Sequence, residues 1–243
     1  MSDKKAEEIL NSKKFTVLWS GGKDSTATLL WVLNSISNHN FKVLYVEITG
    51  NTDERCNQYV LELAEELGIA DKLIFHRTTH KGLDFFQLME RWGSPIIKYR
   101  WCLYKLKIPA FHQHIEGIAV SGVRASDSKV RAKFVKPLTY SKFMKTWTVN
   151  PLWNWTKQEV LDYLKENGVK LNPCYEKLGH GGNCCFCPYA DRVHIIKTMN
   201  DPYWREKILT VLEKCKENLL KGEVGRQIYK NWTKYARQSL LIS

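Results

Sequence analysis

Short apolar runs along the first half of the chain alternate with stretches in which apolar residues recur at helical spacing. This alternation is typical of an α/β protein, because each β–α–β connection brings consecutive strands to lie parallel in one sheet. The predicted strands are 15–19, 41–48, 72–76 and a run beginning at residue 118, and the predicted helices are 25–33, 57–67 and 83–92. The pattern therefore predicts a Rossmann-like parallel sheet with helices on both faces.

The second half of the chain reads mainly as helix. Thr156 precedes a stretch of apolar periodicity and Glu159 follows three residues later, which is the capping-box pattern of a helix start. We expect this helix to end at Gly168, since glycine commonly terminates helices. Apolar residues at helical spacing continue from residue 201 onwards, so a helical C-terminal extension is predicted there.

A glycine-containing turn lies where the first predicted strand passes into the first predicted helix, and we call residues 20–26 the glycine loop. Its two glycines let the backbone approach an anion closely, and the N–H groups of the first helical turn point at that anion. Its lysine and hydroxyl side chains add a cation and further donors. The alternative is an ordinary helix start capped by Ser20 or Asp24. The complete motif Ser-Gly-Gly-Lys-Asp-Ser, placed between a predicted strand and a predicted helix, favours a phosphate site.

The glycine loop matches neither a Walker A loop nor the Gly-x-Gly-x-x-Gly dinucleotide turn. It resembles the pyrophosphate-binding loop of the adenine nucleotide alpha hydrolase superfamily. That resemblance implies a Rossmann-like sheet and a nucleotide phosphate at the loop. The superfamily includes ATP-dependent activators of carbonyl groups and reductases of activated sulfate, so the loop alone does not choose a reaction.

The ends of the predicted strands carry further polar residues. Ligands of open parallel sheets bind beyond the carboxyl ends of the strands, so we expect the glycine loop, residues 47–51 and the segment after His76 to surround one cleft. Arg124 follows the fourth predicted strand, where an arginine is placed for bidentate contact with a phosphate. The alternative for Arg124 is a salt-bridged surface arginine.

Basic residues are concentrated in one part of the chain. The 243 residues include 37 Lys and Arg against 25 Asp and Glu, and residues 94–150 hold 11 basic and 2 acidic side chains. Such a surplus is typical of a surface that meets phosphates, either of a nucleotide or of a nucleic acid. The alternative is a solvated surface charge that aids solubility.

The composition also bears on location. No run approaches the roughly 18 apolar residues that span a bilayer, and the first residues lack the apolar core of a signal peptide. We therefore expect a cytoplasmic protein with no membrane contact. Seven cysteines in a reducing compartment are metal ligands, catalytic thiols or buried apolar residues rather than disulfides.

Four of the cysteines form a candidate metal site. Cys184 and Cys187 make a Cys-x-x-Cys pair, which lets two thiolates point at one metal. Cys174 lies ten residues before Cys184, and Cys102 lies in a basic aromatic segment. The spacing admits a zinc ion, with His180 as an alternative ligand to Cys102, as well as an iron–sulfur cluster.

Several motifs together resemble the phosphoadenosine phosphosulfate (PAPS) reductase family, in that family's order. They are the glycine loop, the Thr49-Gly50 turn, residues 100–109, residues 121–124 with Asp127, Ser128 and Arg131, residues 150–155 and the cysteine block at 184–188. The subset most similar to this chain includes ATP pyrophosphatase-like proteins of sulfur transfer, such as those of DNA phosphorothioation. The resemblance implies a 4Fe–4S cluster near the nucleotide, held by Cys102, Cys184, Cys187 and Cys174, with Cys185 as the competitor for Cys174.

Two features depart from the reductases of this family. Those enzymes carry a catalytic cysteine in a C-terminal Glu-Cys-Gly-(Leu/Ile)-His motif, which is absent from residues 1–243. Cys215, which follows the cysteine block, lies in a helical pattern, and Cys102 does not follow a second cysteine as paired ligands do. We therefore expect either ATP-dependent sulfur transfer or reduction of PAPS or adenosine phosphosulfate. The alternative is an inactive nucleic-acid-binding module with a structural zinc site.

These expectations define the sites and the organisation of the chain. Residues 1–150 are expected to form the nucleotide-binding domain, 151–190 a helix and the cysteine-rich segment, and 191–243 a basic helical extension. The partners expected are ATP or PAPS, an RNA or DNA acceptor, a sulfur- or electron-donor protein and a second copy of the chain. The catalytic candidates are Lys23, Asp24 and Arg124, and the nucleotide-binding candidates are Ser20, Gly21, Gly22, Lys23, Asp24, Ser25, Thr26, Thr49, Gly50, Gly122, Arg124 and Arg131.

Overall fold

The computed structural model describes residues 3–96 and 98–239 and forms two compact units, each assembled from segments that are distant in sequence. The first unit comprises Met1–Val46, Asn57–His76 and Ile108–Asn172, and the second comprises Glu47–Cys56, Arg77–Lys107 and Pro173–Ser243. The boundaries at 150 and 190 stay a prediction about domain organisation.

In the described residues, one mostly parallel sheet of six strands organises the fold, with the strand order β3-β2-β1-β4-β6-β5. Strand β1 pairs in parallel with β2 and β4, β4 pairs in parallel with β6, and β5 pairs antiparallel with β6. The strands are β1 (Phe15–Trp19), β2 (Phe41–Ile48), β3 (Leu73–Thr78), β4 (Ile118–Val120), β5 (Leu138–Ser141) and β6 (Thr146–Val149). The predicted Rossmann-like sheet is confirmed.

Helices flank the sheet and bury its apolar strands. Strands such as β1 are almost wholly buried because helices cover both faces of a parallel sheet, and Val17, Val43 and Val120 are fully buried. The helices are α1 (Asp3–Ser12), α2 (Lys23–Ser35), α3 (Glu54–Glu66), α4 (Phe85–Trp92), α5 (Ile108–His114), α6 (Lys129–Phe134), α7 (Lys157–Glu166), α8 (Cys174–Leu178), α9 (Arg192–Asn200), α10 (Pro202–Lys214), α11 (Lys216–Leu220) and α12 (Glu223–Ser239). None of the described helices combines the length and the apolar character needed to cross a membrane.

The helix starts follow the capping chemistry of the sequence. The Thr156 hydroxyl accepts a hydrogen bond from the Glu159 N–H and the Glu159 carboxylate accepts one from the Thr156 N–H, so the predicted capping box of α7 is confirmed. Helix α7 then packs on α2, where the Asn34 side chain donates to the Tyr163 hydroxyl at 3.0 Å. This packing fixes the helix that begins at the glycine loop.

The second unit has an aromatic core. Phe186 of the cysteine block packs against Trp232 of α12, with ring centroids 4.8 Å apart, and the ring centroids of Phe85 of α4 and Trp101 are 5.2 Å apart. Trp204 of α10 is buried in the same unit. The cysteine-rich segment and the C-terminal helices therefore share one apolar core, which holds the cysteine segment in place.

The hairpin of β5 and β6 was not predicted from the pattern. Both strands have four residues, and threonines and a serine interrupt their apolar positions. Strand β5 pairs with its neighbour at the edge of the sheet, and that backbone pairing supplies order that the side-chain pattern does not show.

Candidate functional site

The glycine loop joins the end of β1 to the start of α2, as the pattern predicted. Gly21 has φ = +71°, a conformation that favours glycine because other residues have a Cβ that clashes there. Gly22 is the N-cap of α2 and provides no side-chain cap. The start of this 13-residue helix thus resembles the anion sites found at helix N-termini, where backbone N–H groups lack intrahelical partners.

The hydroxyl groups of the loop hold its shape. The Ser25 hydroxyl accepts from the Ser20 N–H at 3.1 Å and donates to the Gly22 carbonyl at 3.0 Å. The Thr26 hydroxyl accepts from the indole of Trp19 at 3.0 Å. These bonds preorganise the loop backbone before a ligand arrives, which reduces the entropy lost on binding.

A buried arginine lies beside the loop. Arg124 is only 3% exposed, and its Nε lies 2.8 Å from Oδ1 of Asp24 while its Nη2 donates to Asp127 at 2.7 Å. Arg131 pairs with the other oxygen of Asp127 at 2.6 Å, and Lys23 pairs with Asp24. Five alternating charges thus form one chain of ion pairs around the loop.

One ion pair in this chain is not aligned as a hydrogen bond. Asp24 Oδ1 and Arg124 Nε are both buried, and neither has a hydrogen-bond partner despite their short separation. The attraction between the two charges offsets part of the cost of burying them. This inaccessible pair therefore positions Asp24 beside the glycine loop and does not itself contact a ligand.

Gly122 follows β4 and packs against the loop backbone. A Cβ at this position would lie 2.7 Å from the Asp24 carbonyl oxygen and 2.9 Å from the Ser25 nitrogen. Only glycine admits this approach, because backbone atoms cannot move aside as a flexible side chain does. The predicted binding residue Gly122 thus sets the position of the first turn of α2.

Thr49 and Gly50 belong to the second unit. The Thr49 carbonyl accepts from the Phe85 N–H at 2.9 Å, and Gly50, with φ = +86°, leaves room for the Asp84 carboxyl group 2.9 Å from where its Cβ would be. Asp84 is the N-cap of α4. These contacts give the turn after β2 a structural role, and its contact with a nucleotide stays a prediction.

Three of the predicted ligand cysteines influence one another in the second unit. Burial and then Cys184 raise the pKa of Cys102, and burial, Cys184 and Cys102 raise the pKa of Cys187. All three are partly accessible. Lys107 acts in the opposite direction on Cys102 and Cys187, because a cation stabilises a thiolate. We call Cys102, Cys184 and Cys187 the thiol trio.

The fourth predicted ligand, Cys174, lies in a more deeply buried group. Its thiol contacts Oδ1 of Asp53 at 3.8 Å, and burial, Asp53 and Cys56 raise its pKa. Burial and then Asp53 also raise the pKa of Cys185, and Cys56 is fully buried. As placed, the described His, Cys, Asp and Glu side chains include no set of three or more arranged around a metal ion.

Asp53 is the residue that the sequence reasoning missed. Burial would raise its pKa, but hydrogen bonds from Arg55 at 2.7 Å and from the indole of Trp204 outweigh burial and lower it. Arg55 also reaches Asp201 at 2.8 Å. Asp53 follows the turn that ends β2, so its place at a strand end was the available signal.

Two stacked histidines support the cysteine block. The rings of His180 and His194 lie 3.7 Å apart, His180 accepts from the Gly182 N–H at 3.0 Å, and His194 donates to the Cys185 carbonyl at 2.8 Å. Burial and then His194 lower the pKa of His180 to about 3, and burial lowers that of His194. Both rings are therefore neutral near pH 7. Each neutral ring has one nitrogen that donates a hydrogen bond and one that accepts, which suits the two contacts with the cysteine block.

Known proteins resemble this chain at low sequence identity. An uncharacterized protein of Methanocaldococcus jannaschii is 29% identical over 237 residues, which cover 93% of this chain and 47% of that protein. A second protein of the same organism is 25% identical and covers 77% of this chain and 45% of its own length. The chain therefore spans about half the length of these curated relatives.

Solved structures were also compared with this chain, and a PAPS reductase shares its fold. PAPS reductase from Candida auris has a TM-score of 0.50 and 15% identity over 72% of this chain and 84% of its own. The U34-tRNA thiolase NcsA from Methanococcus maripaludis, solved with its 4Fe–4S cluster, has a TM-score of 0.49 and 16% identity over 99% of this chain and 79% of its own. The phosphoadenosine phosphosulfate reductase domain matches residues 14–187. Since that match covers most of the chain, the protein belongs to the phosphoadenosine phosphosulfate reductase domain family.

Proposed function

We propose that this protein is an adenine-nucleotide-dependent enzyme of sulfur transfer, which binds ATP at the glycine loop and activates an acceptor for thiolation. The observation that supports this proposal most is the start of α2 at Gly22, which has no side-chain cap and lies beside the ion-paired Asp24 and Arg124. A helix N-terminus, a lysine and a positive φ glycine are the groups that phosphates require.

The charges of the loop favour a polyphosphate. Lys23, Arg124 and Arg131 oppose Asp24 and Asp127, which leaves one positive charge in addition to the positive end of the α2 dipole. In the proposed reaction an acceptor atom attacks the α-phosphorus, the bond to the β-phosphate oxygen breaks, and pyrophosphate leaves. Lys23 and the loop amides stabilise the negative charge that develops on the leaving group, and Arg124 holds Asp24 in position.

Burial of Cys215 favours transfer over reduction. Reduction of PAPS or adenosine phosphosulfate needs a nucleophilic thiolate, and burial raises the pKa of Cys215 to about 11. A thiol with that pKa is protonated near neutral pH. The described part of the chain thus places no reactive thiolate at that position, whereas ATP-dependent activation needs none.

The thiol trio is the proposed holder of an iron–sulfur cluster, with Cys174 as the proposed fourth ligand. Thiolate sets suit zinc or iron–sulfur centres. The spacing of the cysteines admits either centre, and metal analysis of the purified protein distinguishes them. When bound, such a cluster can supply electrons or carry a sulfur atom.

An anaerobic preparation tests the proposal. We expect visible absorption with matching iron and acid-labile sulfide, ATP binding by calorimetry, and release of pyrophosphate when an acceptor nucleic acid and a sulfide donor are present. Lys23→Ala is expected to remove the ATP binding and the pyrophosphate, while Lys165→Ala on α7 is the matched control. Sulfite release from PAPS with a thiol donor, without pyrophosphate release from ATP, would show that the protein is a reductase instead.

An inactive nucleic-acid-binding module is the second candidate, favoured by the basic excess of residues 94–150. Its signature is salt-dependent nucleic-acid binding that Lys23→Ala and Asp24→Ala leave unchanged, together with an absence of ATP binding. Zinc in place of iron in the purified protein would support this candidate as well.

A further inference from the structure

The hairpin of β5 and β6 carries two large aromatic side chains that are exposed to solvent. Tyr140 and Trp147 are directly opposite each other in the strand register, so they lie on the same face of the hairpin. Their ring centroids are 5.7 Å apart at an interplanar angle of 74°, and each residue is 52% exposed. An aromatic pair usually lies in a core, so its exposure at a sheet edge marks a surface that meets a partner.

Two more aromatic side chains of the same segment are exposed. Phe143, in the turn of the hairpin, is 54% exposed, and Phe134, at the end of α6, is 71% exposed. The turn is anchored, because a ring nitrogen of His112 lies 2.7 Å from the Phe143 carbonyl and the Met144 N–H donates to the Ser141 hydroxyl at 3.2 Å. We call residues 129–147 the aromatic hairpin surface.

The same segment is strongly basic. Between Asp127 and Glu159 the chain has seven basic residues and no acidic one, namely Lys129, Arg131, Lys133, Lys136, Lys142, Lys145 and Lys157. Arg131 is paired with Asp127. Within the described part of the chain, no ion pair involves Lys133, Lys136 or Lys142, and all three are exposed. Their charges are therefore available to a polyanion.

We propose that the aromatic hairpin surface binds an unpaired segment of the RNA that accepts the sulfur atom. The identification of this RNA as the acceptor rests on the proposed function. Flat rings on a β-surface stack with unpaired bases, and neighbouring lysines bind the phosphates between them. Tyr140 and Trp147 supply the stacking rings, and Lys133, Lys136 and Lys142 supply the cations.

The chemistry favours RNA over other polyanions. Folded RNA presents unpaired bases in its loops, whereas duplex DNA keeps its bases stacked and away from a ring on a protein surface. An acidic peptide would use the lysines but has no flat group that requires four aromatic rings. A membrane surface would also use exposed aliphatic side chains, and the large exposed apolar residues described between 129 and 147 are all aromatic.

Fluorescence anisotropy with the full chain tests the proposal. The probe is a labelled single-stranded RNA 12-mer of mixed sequence, compared with duplex DNA of the same sequence and with vesicles containing anionic lipid. Loss of one stacked base weakens binding about fivefold to a hundredfold, so we expect Trp147→Ala and Tyr140→Ala each to raise the RNA Kd by that factor. Lys133→Glu and Lys142→Glu are expected to weaken binding at low salt and to flatten its salt dependence.

Matched controls lie elsewhere on the surface. Tyr203→Ala removes an exposed aromatic of α10 and Lys165→Glu reverses an exposed lysine of α7, and both are expected to leave the RNA Kd unchanged. Equal RNA binding by the wild type and the hairpin variants would overturn the proposal, as would equal or tighter binding of DNA, or binding to vesicles alone. ATP calorimetry on the same samples tests the proposed function separately from the RNA-binding surface. RNA binding that depends on Trp147, without ATP binding, would refute the proposed function and would still support RNA binding by the hairpin.

Discussion

At the scale of single residues, the candidate nucleotide site depends on buried charge. Arg124 pairs with Asp24 and Asp127, and its Nη1 donates to the Ser126 hydroxyl and the Trp155 carbonyl. Burial of such a set costs desolvation free energy that only mutual pairing recovers. The set is therefore sensitive to the loss of any one member.

Arg124→Met tests this sensitivity. The substitution leaves two carboxylates near the loop without their buried cation, and breaking a buried pair costs about 3–5 kcal/mol of the free energy of unfolding. We also expect weaker ATP binding, since Asp24 is no longer held. Urea unfolding and calorimetry measure the two effects. Arg131→Met is the control, because its half-exposed ion pair contributes less than about 1 kcal/mol; equal losses for both variants would contradict the assignment.

Gly122→Ala tests the close approach of the strand end to the loop. The new methyl group would overlap the Asp24 carbonyl, so we expect a loss of about 1–3 kcal/mol in the free energy of unfolding and at least a tenfold loss of ATP affinity. Thermal unfolding and calorimetry measure these losses.

Gly222→Ala is the control for this substitution, since nothing lies within 4 Å of a Cβ at that position. ATP affinity unchanged by Gly122→Ala would show that the first turn of α2 does not contact the nucleotide.

At the scale of elements, the signals in the sequence differed in strength. The apolar runs of β1 and β2 predicted both ends of those strands, and the capping box of α7 predicted where that helix begins, because burial and capping act locally. Helix α7 ends at Glu166, two residues before the expected Gly168. Strand β3 runs from Leu73 to Thr78 and so continues past the predicted end. The hairpin was missed, since its order comes from pairing with a neighbouring strand. Asp53 was missed because its partners Arg55 and Trp204 come from different helices.

His180 precedes α9 and stacks on His194 within it, and this pair predicts a fold that loses stability in acid. The unfolded state binds a proton near pH 6.5, whereas His180 in the folded state binds one only near pH 3. Stability therefore falls as the pH drops from about 6.5, by at most about 1.4 kcal/mol per pH unit for each such histidine. His180→Phe keeps an aromatic ring but does not titrate.

Urea midpoints between pH 7.5 and 4.5 measure this effect. We expect a smaller decrease in stability across that range for His180→Phe than for the wild type, whatever the variant's stability at pH 7.5. Parallel curves for the two proteins would show that His180 is not the group that senses acid.

At the scale of the whole molecule, each unit draws residues from distant parts of the chain. Cys102 and the Cys-x-x-Cys pair come together in the second unit although more than half of the intervening segment belongs to the first. The comparisons with known proteins identify the family, and the proposed sulfur chemistry depends on what this thiol group holds.

A series of cysteine variants tests the proposed ligands in anaerobically purified protein. Replacement of Cys102, Cys184 or Cys187 by serine is expected to abolish most of the visible absorption and the bound iron, because each removes a thiolate. Cys174→Ser is expected to lower iron content as the proposed fourth ligand. Cys56→Ala, a buried thiol outside the proposed set, is the control. Iron retained in all of the trio variants would refute the assignment.

The sequence by itself determined the alternation of strands and helices, the glycine loop at the first strand end and the family resemblance, because each depends on residues that are close together in the chain. Only the tertiary structure decided that Arg124 is buried between two carboxylates, that Cys174 contacts Asp53, and that Tyr140 and Trp147 share an exposed face. Those facts depend on which distant segments pack together and on how strands align, and no local pattern of residues encodes either one.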